Sequence, residues 1–140
     1  MAFQQRCDQP RLSGMTILVV EDHADSREAL AEILRYFGAR TLLARDGADA
    51  LAALASVVPD VVLCDLSMPV MDGFGFLERV RQDPRLAHLP VIATTALGSR
   101  ADRSRTRRAG FAGHAVKPIE ADALVARLAR WAGSRRHCAA

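Results

Sequence analysis

The segment VVLCDLSMPVMDG (residues 61–73) decides the fold, because a short apolar run ends there in an acidic residue and a loop. The run at 61–64 is apolar on both of its faces, which is typical of a strand buried in a parallel sheet. Pro69 and Gly73 interrupt regular structure just after it. We therefore predict a buried strand that places Asp65 at its carboxyl end, followed by a loop and a helix.

The sequence on either side of this segment alternates between strand-like and helix-like stretches. Apolar runs predict further strands at 16–20, 41–44, 91–95 and 114–116. Helices are predicted at 25–37, 48–57, 74–81, 100–109 and 120–131, the first, second and last of them from apolar residues at helical spacing and the fourth with Gly110 at its end. We expect Asp22 or Asp25 to cap the first helix and Gly133 to end the last one. Such alternation predicts an α/β fold, a doubly wound five-stranded parallel sheet with five helices on its two faces.

Length and composition are those of one globular domain. The chain has 140 residues, half of them hydrophobic, and no apolar run approaches the roughly 20 residues of a membrane span. We divide it into an N-terminal tail (1–14), a domain (15–132) and a C-terminal tail (133–140). The net charge of +3 is too small to favour nucleic-acid binding. The three cysteines, Cys7, Cys64 and Cys138, are widely spaced and form no CxxC pair. They fit a reducing cytoplasm rather than a disulfide framework or a zinc site.

Polar residues follow four of the predicted strands at the point where each strand ends. They are Glu21 and Asp22, Asp65, Thr95 and Lys117, the only lysine among nineteen basic residues. Carboxyl ends of parallel strands meet at one edge of the sheet, where ligands bind in this fold class. Clustered carboxylates repel one another and require a cation, and oxygen ligands suit Mg²⁺. Taken singly, Asp65 is equally typical of a helix cap, and Lys117 of an exposed surface residue.

Four motifs resemble those of the receiver domains of bacterial two-component response regulators: TILVVED (16–22), VVLCDLSMPVMDG (61–73), PVIATTA (90–96) and AVKPI (115–119). The spacing is also similar, with 43 residues from Asp22 to Asp65, 30 more to Thr95 and 22 more to Lys117. The resemblance extends over about 15–131. It implies the flavodoxin-like strand order 2-1-3-4-5, as in the chemotaxis regulators of the family.

The resemblance implies a phosphorylation site that uses magnesium. Asp65 would be the phosphoacceptor and a ligand of Mg²⁺. Asp22 would bind the same ion directly, Glu21 would bind it through water, and the carbonyl oxygen of Ser67 would be a further ligand. The only chemistry that we expect is self-catalysed phosphotransfer and dephosphorylation, so that the chain is a signalling domain rather than an enzyme.

Further residues would bind and sense the phosphoryl group. Lys117 would contact it next to a cis peptide bond to Pro118. The backbone of Ser67 and of Ala96 would bind its oxygens. Thr95 would be the switch hydroxyl, which turns inward when Asp65 is modified.

Three positions depart from the common family pattern. His114 stands where the family often has a switching tyrosine or phenylalanine, and an ordinary edge-strand histidine is an equally good interpretation. Ser67 and Leu97 occupy positions that tune dephosphorylation in the family. Because leucine offers no group to orient an attacking water, we hypothesise a long-lived phosphoryl state.

The resemblance also implies partners. A histidine kinase or a histidine phosphotransfer protein would donate the phosphoryl group, and the surface of helix four, strand five and helix five would control a protein partner or form a homodimer. The predicted fourth helix contains five arginines, Arg100, Arg103, Arg105, Arg107 and Arg108. They form either a docking surface for an acidic partner or simply a solvated helix face.

Three alternatives remain at this point. The chain could be the receiver module of a hybrid histidine kinase. It could be a magnesium-dependent aspartyl-phosphate hydrolase, although such enzymes usually carry a second acid where this chain has Ser67, and no room remains for a cap domain. It could also be a degenerate receiver that signals without phosphate, although all the site residues are present.

Overall fold

Five strands form one parallel sheet in the order β2-β1-β3-β4-β5, which confirms the predicted strand order. The structure is a computed structural model that describes residues 12–68, 70–96 and 100–139, with side chains to residue 130. The strands are β1 (Thr16–Val20), β2 (Arg40–Ala44), β3 (Val61–Asp65), β4 (Val91–Thr95) and β5 (Gly113–Val116). The helices are α1 (Ala24–Tyr36), α2 (Gly47–Ser56), α3 (Gly73–Gln82), α4 (Arg100–Ala109) and α5 (Ala121–Ala139), with a 3₁₀ turn at Pro84–Leu86.

Both faces of the sheet are covered, as the apolar runs predict. On one face Leu18 and Val62 pack with Phe76 and Leu77 of α3. On the other face Ile17 and Val19 of β1 pack with Leu34 of α1 and with Leu124 and Leu128 of α5. Neighbouring residues of a strand point to opposite faces, so a strand buried on both sides must be apolar throughout. Cys64 is one of these fully buried core residues, as predicted.

The first helix begins differently from the prediction. Its N-cap is His23, whose side chain makes no capping hydrogen bond, so the prediction of Asp22 or Asp25 as the cap is wrong. Asp25 already lies inside the first turn. In α2 and α3, by contrast, an aspartate does cap the helix: Asp46 accepts from the backbone N–H of Asp49, and Asp72 from that of Gly75.

The two ends of the fold also extend beyond the predicted limits. Helix α5 continues to Ala139, so the predicted stop at Gly133 is wrong. One glycine costs a helix only about 1 kcal/mol, and the surrounding alanines and arginines favour helix. At the other end Leu12 is fully buried, and its backbone N–H donates to the carbonyl oxygen of Phe37 at 2.8 Å. The core therefore reaches into the predicted tail, whose first eleven residues lie outside the described part of the chain.

Some predicted features fall outside what the structure describes. They are the side chain of Trp131, Cys7 and Cys138, Pro69 in the loop after β3, and Leu97 after β4. Among the described residues no helix combines the length and the apolar character needed to span a bilayer.

Candidate functional site

Asp65 ends β3 in a buried position at the carboxyl edge of the sheet. Asp65 is only 4 % exposed, and its partner in the register of the sheet is Thr94 of β4. Oδ1 accepts a hydrogen bond from the backbone N–H of Ser67 at 3.1 Å, and Oδ2 accepts one from Nζ of Lys117 at 3.2 Å. A buried carboxylate is stable only when it is paired or hydrogen-bonded in this way.

Lys117 joins this carboxylate to a second one. Its Nζ also lies 2.8 Å from Oε1 of Glu21, which follows β1 and is itself buried. Burial lowers the pKa of Lys117, but the hydrogen bonds that its ammonium donates to Glu21 and Asp65 outweigh burial, and the pKa of Lys117 is raised. Burial raises the pKa of Glu21 in spite of the ammonium beside it. One ammonium thus faces two carboxylates, which leaves an excess of negative charge.

Asp22 completes the acidic group with an atom that lacks a donor. Its Oδ1 is buried and has no hydrogen-bond partner among the residues that the structure describes. The ligand atoms of Glu21, Asp22 and His23 lie within 4.8 Å of one another. A buried carboxylate oxygen without a donor, next to a second carboxylate, is an arrangement that a hard divalent cation satisfies. The residues present therefore fit Mg²⁺. The sequence analysis did not single out His23, whose Nδ1 lies 3.5 Å from Oδ1 of Asp22.

The backbone around the site is fixed by close contacts. The N–H of Glu21 donates to the carbonyl oxygen of Ala44 at 3.0 Å, and Arg27 Nη1 donates to the carbonyl oxygen of Glu21 at 2.9 Å. Gly73 starts α3 directly beneath Asp65, where an added Cβ would approach the carbonyl oxygen of Asp65 to 2.8 Å. Only glycine therefore allows the loop after β3 to return so close to its strand.

Thr95 lies at the end of β4, beside a small cavity next to the acceptor loop. It is 2 % exposed, and its carbonyl oxygen accepts from the N–H of Lys117 at 2.7 Å. The cavity has a volume of about 140 Å³ and is also lined by Ser67 and by Thr106 of α4. Ala96 follows as an exposed residue. The peptide bond between Lys117 and Pro118 is cis.

His114 lies on β5, half-buried and turned toward α4. Its Nδ1 is 3.2 Å from the hydroxyl oxygen of Thr106, and this hydroxyl donates to the carbonyl oxygen of Arg103 at 2.9 Å. Thr106 is 2 % exposed and lines cavities on both sides, one shared with Thr95 and one shared with His114. Thr106 could not be predicted from the sequence, because a single threonine among arginines carries no periodic or motif information.

Comparisons with known proteins identify the family of this chain. The sequence profile described as "Response regulator receiver domain" matches residues 17–129, and the chain belongs to that family. It is 40% identical over 114 residues to the response regulator PleD of Caulobacter vibrioides, covering 80% of this chain and 25% of that protein. It is 38% identical over 109 residues to an uncharacterized 14.6 kDa protein of Leptolyngbya boryana, covering 78% and 83% of the two chains.

Solved structures extend the comparison to the fold and the metal. The chain resembles the chemotaxis protein CheY4 of Vibrio cholerae, with a TM-score of 0.78, 30% identity and coverage of 83% and 97%. It also resembles the receiver domain of a sensor histidine kinase from Pseudomonas aeruginosa PAO1, with a TM-score of 0.79, 31% identity and coverage of 86% and 99%. That structure has a magnesium ion coordinated in its active site cleft.

The family assignment places this chain in two-component signalling, and both the predicted family and the predicted fold are confirmed. Receiver domains are signalling domains that interact with histidine kinases or phosphotransfer proteins and with output partners. The chain spans only 43% of a transcriptional regulator of Guillardia theta and 12% of the sensor kinase RcsC of Salmonella typhi. These larger relatives carry sequence that this chain does not match.

Proposed function

We propose that this domain receives a phosphoryl group on Asp65 from the phosphohistidine of a histidine kinase or a histidine phosphotransfer protein. The observation that carries the proposal is the buried Asp65 carboxylate, held at 3.2 Å from Lys117 beside the acids that follow β1. In the transfer, a carboxylate oxygen of Asp65 forms a bond to phosphorus. The bond from phosphorus to the histidine nitrogen breaks, and its electron pair leaves on the imidazole.

The protein groups around Asp65 supply positioning and charge. Lys117 lies close enough to neutralise an oxygen of the incoming phosphoryl group, and its ion pair with Glu21 fixes it in place. Phosphoryl transfer needs little else from a protein, because its transition state is stabilised mainly by positioning and by opposite charge. The backbone N–H of Ser67, already directed at Oδ1 of Asp65, is positioned to donate to the product.

The acids of the site would hold magnesium. Asp22 and Asp65 would bind it through their carboxylates, Ser67 through its carbonyl oxygen, and Glu21 through water. When bound, Mg²⁺ neutralises charge on the phosphoryl oxygens. The buried Oδ1 of Asp22 supports this ligand set, since a cation would satisfy it.

Phosphorylation would then be sensed at Thr95 and read on the surface of α4, β5 and α5. Added phosphoryl oxygens need donors. Thr95, the last residue of β4, lines the cavity beside Ser67, and the Ala96 backbone follows it. Movement of Thr95 would alter the packing of Thr106 and, through it, of His114. A local charge change would in this way bias a two-state surface. We place the domain in the cytoplasm, where a free buried thiol such as that of Cys64 is usual.

A second candidate is the receiver module of a hybrid histidine kinase. The match to RcsC and to the Pseudomonas kinase receiver supports it. The chemistry at Asp65 is the same in both cases, and only the attached protein differs.

The test is phosphorylation of the purified protein with acetyl phosphate and Mg²⁺, followed by intact mass spectrometry. We expect one phosphoryl adduct, which is lost in Asp65→Asn and on chelation of the metal with EDTA. Asp122→Asn, an exposed carboxylate at the start of α5, is the matched control and should leave the adduct intact. An adduct that persists in Asp65→Asn, or no adduct in the parent protein, contradicts the proposal.

A further inference from the structure

The segment between β1 and α1 brings an imidazole close to two carboxylates. Nδ1 of His23 lies 3.5 Å from Oδ1 of Asp22 and 3.6 Å from Oε2 of Glu21. Two ligand atoms that are each about 2.1 Å from a Zn²⁺ ion, at the tetrahedral angle, lie about 3.4 Å apart. The imidazole nitrogen is therefore spaced from both carboxylates as ligands around one ion are. We call Glu21, Asp22 and His23 the His23 cluster.

Each of the three side chains has an atom directed at the others. Oε1 of Glu21 faces Lys117 at 2.8 Å, whereas Oε2 faces His23 and accepts its backbone N–H at 3.2 Å. Oδ1 of Asp22 is buried and has no hydrogen-bond partner within the described ranges of the chain. His23 is the N-cap of α1, but its side chain makes no capping hydrogen bond. A buried carboxylate oxygen without a donor is unfavourable, and a cation held by the cluster would remove that cost.

The imidazole determines which ion suits the cluster. Mg²⁺ binds oxygen ligands and waters in octahedral geometry. Imidazole nitrogen is a softer ligand, which suits Zn²⁺ and the neighbouring first-row transition metals. All the protein ligands expected for Mg²⁺ in this site are oxygen atoms, so that ion makes no use of His23. Two carboxylates and one imidazole, with a fourth position left for water, form instead the mixed oxygen and nitrogen ligand set of a zinc site.

We propose that the His23 cluster binds a transition-metal ion of the Zn²⁺ class, and binds it more tightly than Mg²⁺. His23 is the residue that confers this preference. Its imidazole is mostly exposed, so that an ion can enter from solvent. The cluster contains no thiolate, and it is therefore distinct from the cysteine-based zinc site that the sequence argues against.

The two ions would compete, because both use Asp22. In the proposed function Asp22 binds Mg²⁺ directly, and an ion held by His23 would occupy the same carboxylate. Zn²⁺ in the cluster would therefore exclude Mg²⁺ from Asp22. This exclusion rests on the proposed function, whereas the binding of Zn²⁺ does not depend on phosphorylation of Asp65.

The experiment measures the affinities of the full chain for Zn²⁺ and for Mg²⁺ by isothermal titration calorimetry. Thiolates also bind Zn²⁺, so the chain used carries Cys7→Ser and Cys138→Ser. We expect Zn²⁺ to bind more tightly than Mg²⁺. His23→Asn should lower the ratio of the two affinities at least about tenfold, because loss of even an outer partner of a metal ligand costs roughly 10–100-fold in affinity. Asparagine is a favoured N-cap residue, so this variant should keep α1 folded.

His88→Asn is the matched control. His88 is exposed and precedes β4, at the opposite edge of the sheet from the cluster, so this variant should leave the ratio of affinities unchanged. Nitrogen-15 NMR of the histidine rings reports the ligand directly. The Nδ1 resonance of His23, assigned from its absence in His23→Asn, should shift with Zn²⁺ but not with Mg²⁺.

Three results would overturn the proposal: equal affinities for the two ions, equal losses in His23→Asn and His88→Asn, or a His23 resonance that Zn²⁺ does not shift. The intact-mass assay with acetyl phosphate and Mg²⁺ tests Asp65 separately. A phosphoryl adduct without a preference for Zn²⁺ contradicts the zinc site alone, and a preference for Zn²⁺ without an adduct contradicts the proposed function alone.

Discussion

Helices α3 and α4 have the same length, ten residues, but are attached to the sheet in opposite ways. Helix α3 buries three apolar side chains, Phe76, Leu77 and Val80, in the core. In α4, all of which the structure describes, the one buried residue is Thr106. The first of these helices is fixed by the hydrophobic effect, and the second is fixed by polar and cation–π contacts.

This difference sets the cost of moving each helix. Burial of an apolar side chain contributes roughly 1.5–3 kcal/mol, whereas a typical hydrogen bond contributes about 1 kcal/mol net. Displacing α3 would expose three large apolar groups, but displacing α4 would expose little apolar surface. An element with few buried apolar contacts belongs to the low-stability end of a structure. In the proposed function, α4 is therefore the helix suited to move and α3 the helix suited to support the acceptor loop.

The largest expected effect is on stability, from a change in α3. Phe76 is fully buried, and Phe76→Ala should lower the free energy of unfolding by about 3–5 kcal/mol because it leaves a cavity. Urea unfolding followed by circular dichroism measures this. The matched variant in α4 is Thr106→Ala, which should cost at least about 1 kcal/mol less. Equal losses from the two variants would show that α4 is as firmly packed as α3.

Much of this contrast could be predicted from the sequence. Apolar periodicity predicted where the strands end, so it also predicted that Asp65 and Lys117 would meet at one edge. The bounds of α4 (Arg100–Ala109) were predicted correctly, and Gly110, which has a φ of 106°, follows its last residue. Local patterns were sufficient here, because strand ends and helix stops depend on neighbouring residues.

Contacts between distant elements could not be predicted from the sequence. Leu12 was assigned to the N-terminal tail but is fully buried, and its backbone N–H donates to the carbonyl oxygen of Phe37 at the end of α1. The importance of Thr106 comes from its distance to His114 across two elements, and that of His23 from the direction of its ring. Neither residue type nor spacing encodes such geometry.

The next largest effect concerns hydrogen exchange. Backbone amides of α4 should exchange at least about tenfold faster than those of α3, a difference of about 1.4 kcal/mol in opening free energy. The reason is that α4 can open without exposing a core side chain. Exchange followed by mass spectrometry of peptides from residues 73–82 and 100–109 provides the measurement. Equal protection would remove the basis for treating α4 as the mobile element.

A smaller effect on stability, with a distinct functional result, is expected from Thr106→Val. Valine keeps the shape but removes the hydroxyl that contacts His114 and the carbonyl oxygen of Arg103. Stability should change by about 1 kcal/mol, the usual contribution of a hydrogen bond. Phosphorylation of Asp65 should continue, but any change that it causes in the hydrogen exchange of α4 should shrink. An undiminished change would exclude the threonine as the link, and Ser104→Ala, elsewhere on α4, serves as the control.

The smallest effect tests how α4 is held to α3. The guanidinium carbon of Arg105 lies 4.2 Å from the ring centre of Phe74, which in turn packs edge-on against Phe111. A cation–π contact at an exposed position contributes about 0.5–1 kcal/mol, so Arg105→Gln should destabilise the protein by that amount. A double-mutant cycle with Phe74→Leu isolates the interaction energy of the pair, because Arg105→Gln no longer removes a cation–π contact when Phe74 has already been replaced. Additive effects would mean that the contact does not hold α4. A coupling energy of about 0.5 kcal/mol would identify a contact between α3 and α4 that is weak enough for phosphorylation of Asp65 to break.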